Sequence, residues 1–370
     1  MSARFLTVVL ERAFNMRDGF GREIDYMRIS VIDSCNLNCY YCNPCDNNEH
    51  CHALNILSVK EVLCIVRAAT RLGIKHFRLT GGEPLLHPQL DEMVLQIKKI
   101  PGVSSVSLTT NAVLLAQHAK WLKEAGIDSI NVSLDTIDAS EYEHITKKPL
   151  LEEVKHGINA AIECGIRVKI NVVLTPQTDV VALTRYVAKK GTDIRFIEMM
   201  PVGEGHTNGV EPYKKVIGTL SKLYGEPCRI NTEKTKEINS GNDKRKIPDN
   251  GPAEYYIFPE LGIRVGLIQA IHGKFCDTCN RIRVTADGRL MPCLGSSVTM
   301  DLVPDSWDFA DDVEKDFAIV RALRAAIKAK PRCHNFNDNA VTYTKTTETK
   351  TTEIEAAEVN AARNMSRIGG

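Results

Sequence analysis

From residue 27 onward the chain alternates between two periodicities. Short apolar runs of strand length give way to stretches whose apolar residues recur every three or four positions, the spacing of one buried helix face. MRISVI (27–32) reads as a buried strand. Ser58-Val-Lys-Glu61 has the capping-box pattern and opens a helix, VLCIVRAATRLG, that stops at Gly73. HFRLTGG is the next strand, followed by a helix from about Gln89 to Lys99 and the strand VSSVSLTTN. A helix over 113–125 ends at Gly126 and leads into SINVSLD. Another over 151–164 ends at Gly165 and leads into IRVKINVVL, and a last one over 179–190 precedes TDIRFIEMM. Near-continuous apolar strands separated by amphipathic helices predict a parallel α/β sheet with both faces covered. An open, partial barrel of six units and a doubly wound sheet share that pattern.

Polar and glycine residues gather at the carboxyl ends of these strands: Gly81-Gly82-Glu83, Thr109 to Asn111, Ser133 with Asp135, Asn171, and Glu198 to Met200. Barrel enzymes place their chemistry on that rim. An ordinary βα turn explains any one of these clusters, but five successive strand ends fit it less well. Beyond about residue 225 the alternation stops. Residues 231–251 are polar and rich in Lys, Asn and Asp, the composition of an exposed loop, and a cysteine-bearing segment follows. Residues 341–362 are dominated by Thr, Glu, Lys and Ala and read as a weakly ordered tail, which ends NMSRIGG. The expected organisation is therefore a barrel over 1–225, a C-terminal domain over 226–340 and a polar tail over 341–370.

Charge narrows the classes of partner. Lys plus Arg number 47 and Asp plus Glu 46, so no global field draws the chain to nucleic acid or an anionic membrane. The N-terminal apolar run FLTVVL is followed at once by Glu11 and Arg12, too short for a signal-peptide core or a membrane span. The expectation is a soluble, cytoplasmic protein. Twelve cysteines in a reducing compartment are not a disulfide framework. Cys64, inside a helix, and Cys164, near a helix end, read as small hydrophobes.

Six of the remaining cysteines form two groups far apart in the chain. Cys35-x3-Cys39-x2-Cys42 places three thiols on the loop leaving the first strand. Thiolates are soft ligands for zinc or for iron–sulfur clusters. Zinc remains open here, because Cys39, Cys42 and Cys45 with Cys51, His50 or His52 would make a four-ligand site. The second group is Cys276-x2-Cys279-x13-Cys293, which His272 would complete for zinc. Between its ligands lies Arg281-Ile282-Arg283. In an extended strand both guanidiniums point to one face, suited to phosphate or a purine edge.

The CxxxCxxC loop after the first strand, followed by GGEP (81–84) ending the second, resembles the radical S-adenosylmethionine superfamily. With NGPAEYY (250–256), FCDTCNRIRVTADGRLMPCL, RFIEMMPVGEG (195–205) and the terminal Gly-Gly, the likeness narrows to the GTP 3′,8-cyclase family of molybdenum cofactor biosynthesis. It runs from about Gly21 to Cys293 and resumes at the C-terminus. The resemblance implies a partial (β/α)6 barrel closed by a C-terminal iron–sulfur domain, with two [4Fe–4S] clusters and S-adenosylmethionine as cofactors. Cys35, Cys39 and Cys42 would hold the first cluster and Cys276, Cys279 and Cys293 the second. Tyr41, Gly82, Ser133 and Met200 would contact S-adenosylmethionine. Arg28, Arg78, Thr109, Lys169, Arg281 and Arg283 would contact GTP, and Gly369 and Gly370 would enter the active site.

The implied chemistry is one-electron cleavage of S-adenosylmethionine, removal of the ribose 3′ hydrogen and closure onto C8 of guanine. A reduced flavodoxin or ferredoxin would be the donor, the next enzyme of the molybdopterin pathway would take the product, and the chain would be a monomer or homodimer. The sequence departs from the family at His76, where lysine is common, at Cys45, Cys51 and their histidines, and in the 341–362 stretch. Two rivals share parts of the pattern: a radical enzyme that modifies peptides, and a zinc-binding structural module.

Overall fold

The computed structural model describes residues 16–42, 55–202, 210–230, 251–296, 298–302, 312–334 and 336. In chain order the first half contains β1 (Tyr26–Ser30), α1 (Val59–Arg71), β2 (His76–Thr80), α2 (Leu90–Lys98), β3 (Ser105–Thr110), α3 (Leu115–Glu124) and β4 (Ser129–Ser133). It continues with α4 (Ala139–Thr146), α5 (Leu151–Glu163), β5 (Val168–Val173), α6 (Val180–Lys189) and β6 (Asp193–Ile197). The second half adds α7 (Gly218–Tyr224), β7 (Cys228–Arg229), β8 (Glu254–Ile257), β9 (Arg264–Ile268), β10 (Arg281–Val284), β11 (Arg289–Met291), β12 (Met300–Asp301) and α8 (Asp312–Lys328).

Local chemistry sets the boundaries. Ser58 and Glu61 form the reciprocal capping box of α1: the Glu61 amide donates to Ser58 Oγ at 3.3 Å and the Ser58 amide to Glu61 Oε2 at 2.7 Å. Asp138 and Asp179 cap α4 and α6 without the reciprocal bond, their side chains accepting from the amides of Glu141 and Ala182. Gly73, which stops α1, takes φ +86°, a conformation that disfavours a side chain.

All strands among the described residues belong to one mixed α/β sheet, in the order β12-β11-β10-β1-β2-β3-β4-β5-β6-β9-β8-β7. The ladders from β10 through β1 to β6 and on to β9 are parallel. No ladder joins β12 to β7 among the described residues, so the sheet is a partial barrel that does not close on itself. The second half of the chain extends both edges, since β9 pairs with β6 and β10 pairs with β1. Residues 269–280 must therefore pass from the carboxyl end of β9, beside β6, to the amino end of β10, beside β1. This connector crosses the open side of the barrel and carries Cys276 and Cys279.

The strands are not apolar on both faces, as the sequence pattern had suggested. Met27, Ile29, Phe77, Leu79, Val106, Leu108, Ile130, Val132, Ile194 and Phe196 have no exposed surface and join helix residues such as Ile65, Met93, Leu122 and Ile158 in one core. The alternate positions are polar: Tyr26 and Arg28, His76 and Arg78, Ser107 and Thr109, Asn131, Lys169 and Asn171, and Asp193 and Arg195. Successive side chains of a strand point to opposite faces. One face thus packs against the helices while the other forms a polar lumen. Burial in that lumen hides the polarity from an argument based on hydrophobic runs.

Candidate active site

Two loops of β1 and β2 meet at the carboxyl rim. The Gly82 amide donates to Ile32 O and the Glu83 amide to Ser34 O, both at 2.8 Å. A Cβ at Gly81 or at Gly82 would lie 2.1 Å from Ile32 O or Ser34 O, and Gly81 adopts φ +145°. The two glycines are needed because the second loop lies directly on the backbone leading to Cys35; a ligand is not required to explain them. Glu83 is fully buried and accepts from Leu85 N (2.9 Å), Thr110 Oγ1 (2.7 Å) and Asn111 N (2.7 Å). Burial pushes its carboxyl up to about 7, against the three donors.

Cys35, Cys39 and Cys42 lie on this loop, with the Cys42 amide donating to Cys39 O at 2.9 Å. The loop is fastened to α4, where Asn38 N donates to Thr146 O and Tyr40 N to Ile145 O. Tyr41 is fastened to the rim of β4: its hydroxyl donates to Asp135 Oδ2 at 2.5 Å, and Asp135 Oδ1 accepts from Val173 N at 2.7 Å. Burial, with Asp135 second, holds the Tyr41 phenol well above its usual range, and burial raises Asp135 to about 6. Burial also raises Cys35 to about 11, and burial together with Cys42, Asp135 and Cys35 raises Cys39 strongly. Three thiols within electrostatic reach of one another, disfavoured as bare thiolates, fit a cationic iron–sulfur guest that would offset the repulsion. Ser133, at the end of β4, pairs in register with Asn171 of β5.

The second group lies across the lumen. Cys276–Thr278 forms a 3-10 turn, and Cys279 N donates to Cys276 O at 3.1 Å. Cys293 follows β11, two residues after Met291. Cations surround this group. Burial works to raise Cys279, but Lys330 and Arg281 bring its thiol below the usual value. Arg22 donates from Nη1 to Cys276 O (2.7 Å) and Arg332 O (2.9 Å), and from Nη2 to Pro331 O (2.6 Å). His272, the fourth ligand of the zinc reading, has Nδ1 bonded to the buried Glu198 carboxylate. Among the described residues no three His, Cys, Asp or Glu side chains form a site for a single metal ion. The thiolate set fits an iron–sulfur cluster.

Between the two groups the lumen is strongly basic. Arg283, Arg28 and Arg78 occupy one register row on three neighbouring strands, with Ser107 continuing it. Arg281, Tyr26 and His76 form the adjacent row. Burial, then Arg283 and Arg78, hold Arg28 well below its ordinary value; burial and Arg281 bring Arg283 down to about 10. Arg78 Nε donates to the Tyr26 hydroxyl at 2.5 Å and its Nη1 to Thr109 Oγ1 at 3.3 Å. The Tyr26 ring sits 5.3 Å from the Arg281 guanidinium and 5.8 Å from that of Arg78. Lys169, buried on β5, lies 5.9 Å from the Tyr255 ring. His76 bonds Ser105 Oγ at 2.8 Å. Buried cations that repel one another form a site whose electrostatic strain a polyanion relieves.

Most predicted site residues thus converge on one lumen. Met200 stands slightly apart, packed with Val202, Met291, Leu294 and Phe336 where the end of β6 meets β11. Gly369, Gly370, Cys45, His50, Cys51 and His52 lie outside the described residues. Arg195, whose Nε donates to Asn171 Oδ1 at 2.9 Å, faces the same lumen and was not among the sequence candidates. Asp135 and Glu83 stood in the rim clusters, but nothing in the sequence gave them a partner. Arg22 and Lys330 carried no local signal.

Residues 29–182 match the radical SAM superfamily and residues 192–336 match the Molybdenum Cofactor Synthesis C family. A protein of Clostridium perfringens named GTP 3′,8-cyclase is 35% identical over 324 residues, 87% of this chain and 95% of that one. Another so named, from Pelotomaculum thermopropionicum, is 36% identical over 327 residues, 86% of this chain and 95% of the relative. Among solved structures, Streptococcus suis SuiB bound to S-adenosylmethionine has a TM-score of 0.54 at 15% identity, covering 82% of this chain and 68% of that one. This last likeness concerns the fold alone. The two matched regions and the extent of the identity place the chain: it belongs to the GTP 3′,8-cyclase family of the radical SAM superfamily.

Proposed function

We propose that the chain converts GTP to (8S)-3′,8-cyclo-7,8-dihydroguanosine 5′-triphosphate, a step of molybdenum cofactor biosynthesis. The observation that carries this reading is the buried row Arg283–Arg28–Arg78, set between two separate groups of three cysteines. In this reading Cys35, Cys39 and Cys42 hold one [4Fe–4S] cluster and Cys276, Cys279 and Cys293 another. When bound, the first cluster with S-adenosylmethionine supplies the one-electron chemistry that activates the ribose C3′ position.

The remaining work falls to side chains of the lumen. Arg28, Arg78, Arg281, Arg283 and Lys169 bind the polyanionic substrate, in a low-dielectric setting where each contact is stronger than in water. Thr109 orients Arg78. Tyr41, held by Asp135, lies with Gly82, Ser133 and Met200 along the S-adenosylmethionine site. Gly369 and Gly370, which lie outside the described residues, take part in catalysis by the family resemblance. The connector over 269–280 shields the lumen from water, which protects a reactive intermediate and fixes the reacting groups. A reduced flavodoxin or ferredoxin delivers the electron in the cytoplasm, and the next enzyme of the molybdopterin pathway takes the product.

Anaerobic reconstitution tests the reading. The protein should hold about eight irons and eight sulfides, and with GTP, S-adenosylmethionine and a reductant it should release the cyclic nucleotide, read by mass spectrometry. GTP should perturb the EPR signal of one cluster only. Bound zinc without visible absorbance, or cleavage of S-adenosylmethionine with no change in GTP, would overturn it.

A further inference from the structure

We infer that Lys330 is the fixed cation that sets the reduction potential of the second iron–sulfur cluster. This rests on the two-cluster reading above and adds a role for a residue outside the lumen. Lys330 follows α8 and is 3% exposed. Its ammonium is held by two backbone acceptors: Nζ donates to Arg281 O at 2.8 Å and to Pro292 O at 2.8 Å, and its charge lowers the neighbouring Cys279 thiol. The two carbonyls belong to the residue two beyond Cys279 and to the residue before Cys293. The charge is therefore anchored to the backbone beside two proposed ligands, and its field acts on the thiol of one.

The segment that carries Lys330 is itself held rigidly. Arg22 takes the carbonyls of Pro331 and Arg332 with the same guanidinium that takes Cys276 O, and Arg22 is fixed in turn by Asp18 at 2.5 Å. His334 reaches the connector, with Nε2 bonded to Ala270 O at 2.8 Å. Among the described residues no carboxylate lies within ion-pair distance of Lys330. An isolated ammonium in a buried position keeps most of its field.

Net charge, hydrogen bonds to sulfur and solvent exposure set the potential of such a cluster. A positive charge at a thiolate favours the form with the extra electron, so Lys330 raises the second cluster's potential. Among the described residues the first group has no cation in the corresponding place; its neighbours are acidic groups, Asp135 near Cys39 and Glu83 near Cys35, whose values burial raises to about 6 and about 7. Lys330 thus separates the two clusters electrostatically. It makes the second cluster the easier to reduce, and the harder to use as a strong reductant.

EPR-monitored redox titration with dithionite of the anaerobic full-length protein tests the assignment. Lys330→Gln keeps a hydrogen-bond donor and removes the charge; Lys330→Arg keeps the charge. In Lys330→Gln the reduced-to-oxidised ratio of the second cluster at a fixed poise should fall roughly tenfold, about 59 mV for a one-electron couple. The first cluster should not move, and Lys330→Arg should titrate as the parent does. About eight irons in the parent and in Lys330→Gln, with an unshifted second potential, would overturn the inference while leaving the two-cluster reading intact. Only about four irons in the parent would overturn both. Should Lys330→Gln fail to retain the second cluster, Lys330→Arg decides: a parental potential supports the charge assignment, and a fall like that expected for Gln refutes it.

Discussion

The two cysteine groups share ligand type and number but stand in opposite surroundings. Cys35, Cys39 and Cys42 sit on a loop held by carboxylates, Asp135 through Tyr41 and Glu83 through Asn111 and the GGEP turn. Cys276, Cys279 and Cys293 sit among Arg22, Arg281, Arg283 and Lys330. Burial and neighbouring acids lift Cys35 and Cys39; burial also lifts Cys276, whereas the cations outweigh burial at Cys279. Negative surroundings favour a cluster that gives up an electron; positive ones favour a cluster that stays close to an anion. In the proposed two-cluster reading the same three-thiol device would be divided into an electron-delivering end and a substrate-holding end, with the arginine row between.

The largest effects should come from breaking either group. Cys35→Ala and Cys276→Ala should each lose about four of roughly eight irons and abolish cyclisation, with different losses of binding. The first should lose S-adenosylmethionine binding and keep GTP, the second the reverse, as read by equilibrium binding on the reconstituted proteins. Arg28→Ala or Arg283→Ala should leave both clusters in place but weaken GTP by about 1.5–3 kcal/mol, roughly 10- to 150-fold in Kd, with S-adenosylmethionine unaffected. Equal weakening of both ligands would mean that the row supports the fold and does not select the anion.

A smaller effect should distinguish the acidic side by pH. Glu83 has its folded value raised from 4.5 to about 7 by burial, so the folded protein binds this proton more tightly than the unfolded chain does. Its contribution is present below pH 4.5 and is lost as pH rises through about 7. The thermal midpoint should fall by a few degrees, about the size of a 1–2 kcal/mol change, between pH 5.5 and 8. Glu83→Gln should flatten that slope. An unchanged slope in the variant would place the titration elsewhere.

Much of this arrangement was legible in the chain itself. The six β units, the capping box at Ser58 and the glycine stop at Gly73 follow from local chemistry, which needs no tertiary partner. The extended Arg281-Ile282-Arg283 was readable because a strand's period of two assigns both guanidiniums to one face. The polar lumen was not readable as a lumen, since Arg28, Asn131 and Lys169 interrupt apolar runs and look like solvent-facing positions until the sheet curls around them. The GGEP glycines are legible as a motif, but not the close approach to the backbone at Ile32 and Ser34 that their missing side chains allow. Helix α8, Arg22 and Lys330 escaped notice because their meaning lies in contacts some 50 to 310 positions away along the chain.

The order of strands has a bearing on how the chain survives before it is complete. The outermost strands are two residues each, Cys228–Arg229 and Met300–Asp301, so each free margin of the sheet is short and ends in a charged residue. Long bare margins invite pairing with another chain, and short charged ones resist it. A nascent chain that has emerged only to residue 225 has β1 and β6 uncovered on their outer sides, two five-residue templates for aggregation. Synthesis of the second half supplies a strand to each in turn, β9 first and β10 next. The segment that delivers the second cysteine group also acts as the guard of both margins.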